Sequence, residues 1–266
     1  MNIIFDNIMN ARDLGGLPAA DGKTIKSGLL LRTALLQFAT DNDIARLQNE
    51  YHLARVFDFR SFEETEFQPD RPVPGASHHI LPTIDMRAEQ DTGRAIPEEA
   101  FRDLEKYIVN YAFYPEVQRM AANMYPSLIR SEYSQLQYAA FLRLIVETPE
   151  GAVLWHCAQG KDRTGWGAAY LMFALGVPRD IVIRDFELSN AAYEPLVRRL
   201  NQDVLNKSGG KAEMAVIQAF MGVSTENFIA TLNLIDREYG GIYAYLENQL
   251  FLTPDDCKLL QERYLF

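Results

Sequence analysis

One stretch of this chain has residue types and spacing suited to nucleophilic attack on an anion: His156-Cys157-Ala158-Gln159-Gly160-Lys161-Asp162-Arg163-Thr164-Gly165. Before it, Ala152–His156 is an apolar run that reads as a buried strand. After it, Thr164–Leu175 reads as an apolar helix. A short loop between a strand and a helix N-terminus aims backbone N–H groups at one point, where the helix dipole favours negative charge. A cysteine at the base of such a nest feels the same field, and comparable thiols titrate at roughly 3.5–7.5. An arginine at the far end can give a planar fork to two phosphate oxygens. Cys157 and Arg163 are therefore the expected nucleophile and phosphate holder of a phosphate-monoester hydrolase.

The rest of the loop follows from that. The backbone from Ala158 through Gln159, Gly160, Lys161 and Asp162 to Arg163 is expected to surround the phosphate, with Gly160 allowing a turn or a close approach. Thr164 is placed to donate its hydroxyl to the sulfur, and His156 to hold the loop by hydrogen bonds. Trp155 and Trp166 are expected to pack the strand and the helix. Lys161 adds a positive charge at the mouth, unless it is merely a solvated lysine. Gly160-Lys161 is not a nucleotide-binding P-loop, because Asp162 stands where Ser or Thr is needed.

Departure of an alkoxide or phenoxide requires a proton. Asp162 lies inside the loop, and Asp58 ends a predicted strand at the edge where sites of parallel sheets collect. Both are candidates, and the same group could later activate water. The bland alternative for Asp58 is pairing with Arg60 or Arg12. Arg12, Asp13 and Arg32 are expected to support the active loop from beneath or beside it through arginine–aspartate pairing, rather than to touch substrate.

The elements that position these residues alternate in type. Strands are expected at Leu29–Arg32, Ala54–Phe59 and, more weakly, Ser77–Leu81. Helices are expected after Thr40, where Asp43 completes a capping box, and after Ser61, with Glu64 in the same role. A long polar loop covers 82–97. Residues 97–130 read as a helical, aromatic insertion, carrying Phe101, Tyr107, Tyr111, Phe113, Tyr114 and Tyr125, with packing as helix core the bland reading of these aromatics. Gln135–Glu147 is another helix. Gly176 suits a helix C′ position and Pro178 a helix start, and Thr253-Pro254 opens the last helix. The pattern predicts an α/β fold in one domain spanning 1–266: a central, mainly parallel sheet flanked by helices, with a helical insertion and a helical C-terminal half.

The 266 residues are 48% hydrophobic and 23% charged, with a net charge of −10. This balance is globular and speaks against nucleic-acid binding. The two cysteines form neither a disulfide framework nor a zinc pair, which fits a reducing compartment. The N-terminus lacks signal-peptide features, so a cytoplasmic protein without membrane insertion is expected, with export by a route that needs no cleaved signal left open. No metal or cofactor is called for. A thiol-relay reductase would want a second cysteine nearby, and Cys257 is distant. A silent phosphate-binding module would more often lack one of Cys157, Asp162 or Arg163.

The loop resembles the signature of the protein tyrosine phosphatase superfamily, HCxxGxxR followed by Ser or Thr. With Asn10-Ala11-Arg12-Asp13-Leu14-Gly15-Gly16, Leu31-Arg32-Thr33 and Asp58-Phe59-Arg60, the chain is similar to the bacterial atypical tyrosine phosphatases. The likeness extends weakly to Asp185-Phe186-Glu187-Leu188-Ser189-Asn190. The resemblance implies a phosphocysteine intermediate, a catalytic aspartate at Asp162, no metal, and a helical insertion over the active site that makes residues 97–130 a candidate lid. The substrates it implies are phosphorylated proteins, chiefly on tyrosine, or phosphoinositides. In lipid phosphatases of the superfamily a lysine at the position of Lys161 suits highly charged inositol phosphates. The Trp-Pro-Asp loop of the larger eukaryotic enzymes is absent.

Overall fold

A computed structural model describes residues 1–85, 115–208 and 221–266. Five strands form one sheet in the order β1-β2-β5-β3-β4: β1 Arg12–Asp13, β2 Leu30–Thr33, β3 Leu53–Asp58, β4 Ser77–Ile80 and β5 Ala152–His156. All neighbours run parallel except the edge pair β1 and β2, which is antiparallel. The two-residue β1 has no apolar alternation and escapes a reading of the sequence. The mainly parallel sheet is as expected.

Strand β5 lies at the centre and is buried along its whole length. Its side chains alternate between two cores. Val153 and Trp155 join Leu30 and Phe57 on the face packed against the helices from the second half of the chain. Leu154 joins Leu31 and Val56 on the other face, with Ile44 and Leu47 of helix α1. Apolar residues on both faces are what a covered parallel sheet requires.

Helix α1 (Asp41–Asn49) begins with the Thr40–Asp43 capping box, and α2 (Phe62–Phe67) with the Ser61–Glu64 box. Helix α3 (Pro115–Arg130) covers the end of the candidate lid insertion; residues 97–114, with Phe101, Tyr107, Tyr111, Phe113 and Tyr114, lie outside the described residues, as do residues 86–96 of the expected loop. Helix α4 (Glu132–Val146) precedes β5, and α5 (Asp162–Ala174) follows the active loop. Helix α5 stops at Gly176, where a left-handed φ of 75° lets the amides of Gly176 and Val177 reach back to Phe173 and Met172. Helix α6 (Arg179–Ser208) follows Pro178. The C-terminal part adds α7 (Thr225–Tyr239), α8 (Ile242–Asn248) and α9 (Pro254–Tyr264), the last with the Thr253–Asp256 capping box. No helix among the described residues is long and apolar enough to cross a membrane.

Candidate active site

The loop between β5 and α5 carries the chemistry-bearing residues. Lys161 occupies the N-cap of α5, yet its side chain makes no capping bond. The amides of Ala158, Gln159 and Gly160 donate to no acceptor among the described residues. Orphan donors at a helix start are a ready place for an anion. Gly160 has φ +62°, and a Cβ there would lie 2.0 Å from the Thr33 carbonyl oxygen. Only glycine allows the loop to pass this close to β2.

Cys157 is 2% exposed at the base of the loop. Burial pushes its thiol up, but the Arg163 charge and the Thr164 hydroxyl and amide outweigh burial and bring it below its ordinary value. Thr164 Oγ1 is buried, and its hydroxyl acts on the Cys157 thiol from within the loop.

Arg163 is not solitary. Its Nη1 and Nη2 bond the two carboxylate oxygens of Glu64 at 2.6 and 2.8 Å, side by side. Glu64 Oε2 also accepts from the Ser61 amide at 2.8 Å. Buried Glu64 would favour its neutral form, but the charge and hydrogen bonds of Arg163 hold it below its usual value. Glu64 thus caps α2 and fixes the plane of the guanidinium. The end-on fork engages one N–H on each Nη and leaves Nε–H with a second Nη2–H to meet a phosphate.

Asp162 is held from two sides. Its Oδ1 accepts from the Tyr125 hydroxyl of α3 at 2.7 Å, and its Oδ2 pairs with Lys161 Nζ at 2.9 Å. Lys161 is 5% exposed and also donates to the Gly222 carbonyl at 2.7 Å. The expected positive charge at the mouth is therefore corrected: Lys161 is neither solvated nor projecting, because a carboxylate and a carbonyl compensate it inside the protein.

Beneath the loop lies a buried polar platform. Arg32 Nη2 donates to the Gly160 carbonyl at 3.0 Å while its Nη1 pairs with Asp185 at 2.5 Å. Arg12 reaches the same Asp185 at 3.3 Å and Asn10 at 2.5 Å. Asn10 in turn donates to the Gly160 carbonyl at 2.9 Å, and Tyr193 to that of Gln159 at 2.6 Å. Burial and the neighbouring Arg32 lower the Arg12 pKa to about 10 despite Asp185. Arg32 therefore bonds the loop directly, and Arg12 lies one contact away from it through Asn10 and Asp185. Asp13 supports more remotely: its carboxylate accepts from the amides of Gly15 and Gly28, tying the first turn to the start of β2.

His156 sits fully buried behind Cys157, with Nε2 3.0 Å from Asp70 and Nδ1 3.8 Å from Asp58. Its Nδ1 also lies 3.3 Å from the Cys157 carbonyl. Burial alone would discharge the ring, but the two carboxylates raise its pKa to about 9, and it is an imidazolium at neutral pH. Asp58 takes Arg60 Nε at 3.0 Å and Nη2 at 2.7 Å, so the pairing weighed in the sequence is the one formed. Of the two candidate acids, only Asp162 stands on the loop itself. Asp58, Asp70 and His156 are close enough to share a metal ion, but Arg60 Nη2 bonds both carboxylates at 2.7 and 2.9 Å, and its charge and that of His156 oppose a cation there. Glu64 and Asp70 were not readable as site residues, while Tyr125 was read only among the aromatics of the insertion and Asp185 only within the weakly matching segment. Glu64 had a signal, its capping-box position, but that signal says nothing of Arg163.

Comparison with known proteins adds three findings. The model of the tyrosine phosphatase family matches residues 3–266. A Cupriavidus necator protein named as a putative tyrosine-protein phosphatase is 28% identical, covering 99% of this chain and 88% of its own length. The triple specificity protein phosphatase PtpB of Mycobacterium tuberculosis is 27% identical, covering 90% of each chain.

Proposed function

This chain belongs to the tyrosine phosphatase family, and we propose that it hydrolyses phosphate monoesters, most of all protein phosphotyrosine, through a phosphocysteine intermediate. The observation that carries the proposal is the placement of Cys157, buried at the base of the loop between β5 and α5, with Arg163 at the far end of that loop held in plane by the paired oxygens of Glu64.

In the first step the Cys157 thiolate attacks phosphorus and the bond to the tyrosyl oxygen breaks. Asp162 in its acid form gives that oxygen the proton it needs to leave as a phenol. Charge spreads over the three equatorial oxygens, which meet the loop amides and the free edge of Arg163. Glu64 keeps that edge turned inward. In the second step the Asp162 carboxylate takes a proton from water, the resulting oxygen attacks phosphorus, and the S–P bond breaks. Thr164 stabilises the departing thiolate. Inorganic phosphate leaves and the enzyme returns to its starting charge. No step calls for a metal.

A second reading, dual or phosphoinositide specificity, is favoured by the relative named as a triple specificity phosphatase. The burial of Lys161 against Asp162 and Gly222 weighs against it, since that cation is compensated before any substrate arrives. Phosphate release from phosphotyrosine, phosphoserine and phosphoinositide substrates, with EDTA present, tests the proposal. Phosphotyrosine turnover undiminished by EDTA is expected. Loss of all turnover in EDTA, or turnover confined to inositol lipids, would overturn it.

A further inference from the structure

Tyr125 is a buried titratable group that the proposed mechanism does not use. It lies on α3, 37 residues before the carboxylate it touches, with its hydroxyl 2.7 Å from Asp162 Oδ1. Its ring is fixed independently. It meets Trp166 edge-on at 6.3 Å and Phe186 of α6 at 5.7 Å. Trp166 stands four residues after Asp162 and so lies on the same face of α5. The tyrosine therefore lies across the first turn of α5, oriented by two aromatic contacts, with its hydroxyl at one carboxylate oxygen.

We propose that Tyr125 is a positioning residue for the acid–base carboxyl: its hydroxyl occupies Asp162 Oδ1, so that the proton moved in each chemical step is carried on Oδ2. This rests on the reading of Asp162 as that acid–base group. The division of labour follows from the donors. Burial, then the Asp162 charge, keep the Tyr125 phenol well above its ordinary range, so it donates a hydrogen bond and keeps its proton. Oδ2 faces Lys161, which has the Gly222 carbonyl as a second acceptor at 2.7 Å and can remain bonded while Oδ2 is protonated. The other titratable groups that sense Asp162 are Cys157 on the loop and Tyr193 on α6. Neither donates to it among the described residues.

The sign of the effect is fixed. A hydrogen bond donated to a carboxylate favours its charged form, so removing the donor raises the pKa of the acid. A general acid is lost as pH rises through its pKa. The descending limb of kcat/KM for Tyr125→Phe should therefore move to higher pH, by about 0.5–1 unit. Misorientation should cost more where the leaving oxygen depends more on the proton. The expected loss is about tenfold on phenyl phosphate and clearly smaller on p-nitrophenyl phosphate.

The test is the pH profile of kcat/KM on both substrates for the wild type, Tyr125→Phe and Asp162→Asn. The phenylalanine keeps the ring against Trp166 and Phe186, and an unchanged near-ultraviolet dichroism spectrum confirms that packing. Support is an upward limb shift with the larger loss on phenyl phosphate, and no further rate loss when Tyr125→Phe is added to Asp162→Asn. If Asp162→Asn removes the limb but Tyr125→Phe reproduces the wild-type profile, the role given to Tyr125 is wrong and the acid assignment stands. If Asp162→Asn keeps the limb and slows both substrates equally, the acid assignment fails and the proposal falls with it.

Discussion

Replacing Glu64 tests whether the phosphate-holding arginine is oriented by a buried carboxylate. The Glu64 and Arg163 side chains are 8% and 11% exposed and share two hydrogen bonds of 2.6 and 2.8 Å. Glu64→Ala leaves the guanidinium charge buried without its partner, which typically costs about 3–5 kcal/mol. It also releases the Ser61 amide from the capping box, which adds about 1 kcal/mol at most. With a urea slope of about 3 kcal/mol/M for a chain of this size, the unfolding midpoint should fall by about 1–2 M. Glu64→Gln keeps the shape and one acceptor and should fall between this value and the wild type. Both variants should lose kcat/KM on p-nitrophenyl phosphate, by about 10²-fold for the alanine, because the fork can rotate away from the phosphate. Urea titrations by fluorescence and steady-state kinetics measure both effects. A midpoint within about 0.3 M of wild type, together with kcat/KM within about twofold, would refute the reasoning.

Two further predictions concern the loop's surroundings. Gly160→Ala places a methyl group 2.0 Å from the Thr33 carbonyl oxygen at a φ of +62°; kcat/KM should fall by about 10²-fold while far-ultraviolet dichroism still reports a folded chain, and wild-type turnover would contradict the cup geometry. His156 has a folded pKa near 9 against an ordinary 6.5, so the stability it contributes is complete below about 6.5 and is lost as pH rises through about 9. The magnitude is on the order of 3 kcal/mol, so urea midpoints should fall between those pH values in the wild type and change much less in His156→Asn. Equal slopes in the two proteins would sink the assignment of an imidazolium.

What could be read in the sequence was mostly local. The capping boxes at Thr40 and Ser61 and the Thr253-Pro254 helix start announce themselves within four residues, and each forms. The apolar runs of β2, β3 and β5 show as strands because both faces of the sheet are covered. The loop itself is compact in sequence, so Cys157, Thr164 and Arg163 were legible together. What escaped depends on contacts across long stretches of chain. Glu64 is 99 residues from Arg163, and Asp185 is 153 from Arg32. Asp70 lies in an unremarkable Gln-Pro-Asp turn, yet it collects His156, Arg60 and the Leu36 amide. The reading of Lys161 failed for the same reason: the Gly222 carbonyl that buries it lies 61 residues on, after residues with no motif.

The phosphate is taken to pass through a covalent bond to sulfur, and trapping that bond tests the mechanism more directly than any rate. Enzyme turning over labelled p-nitrophenyl phosphate can be quenched in acid, digested and analysed by mass spectrometry, with Asp162→Asn used to slow hydrolysis of the intermediate. Phosphate is expected on the peptide that carries Cys157, and neither label nor turnover in Cys157→Ser. Sustained turnover with Cys157 unlabelled, matched by a Cys157→Ser variant at near wild-type rate, would contradict a covalent route through this sulfur.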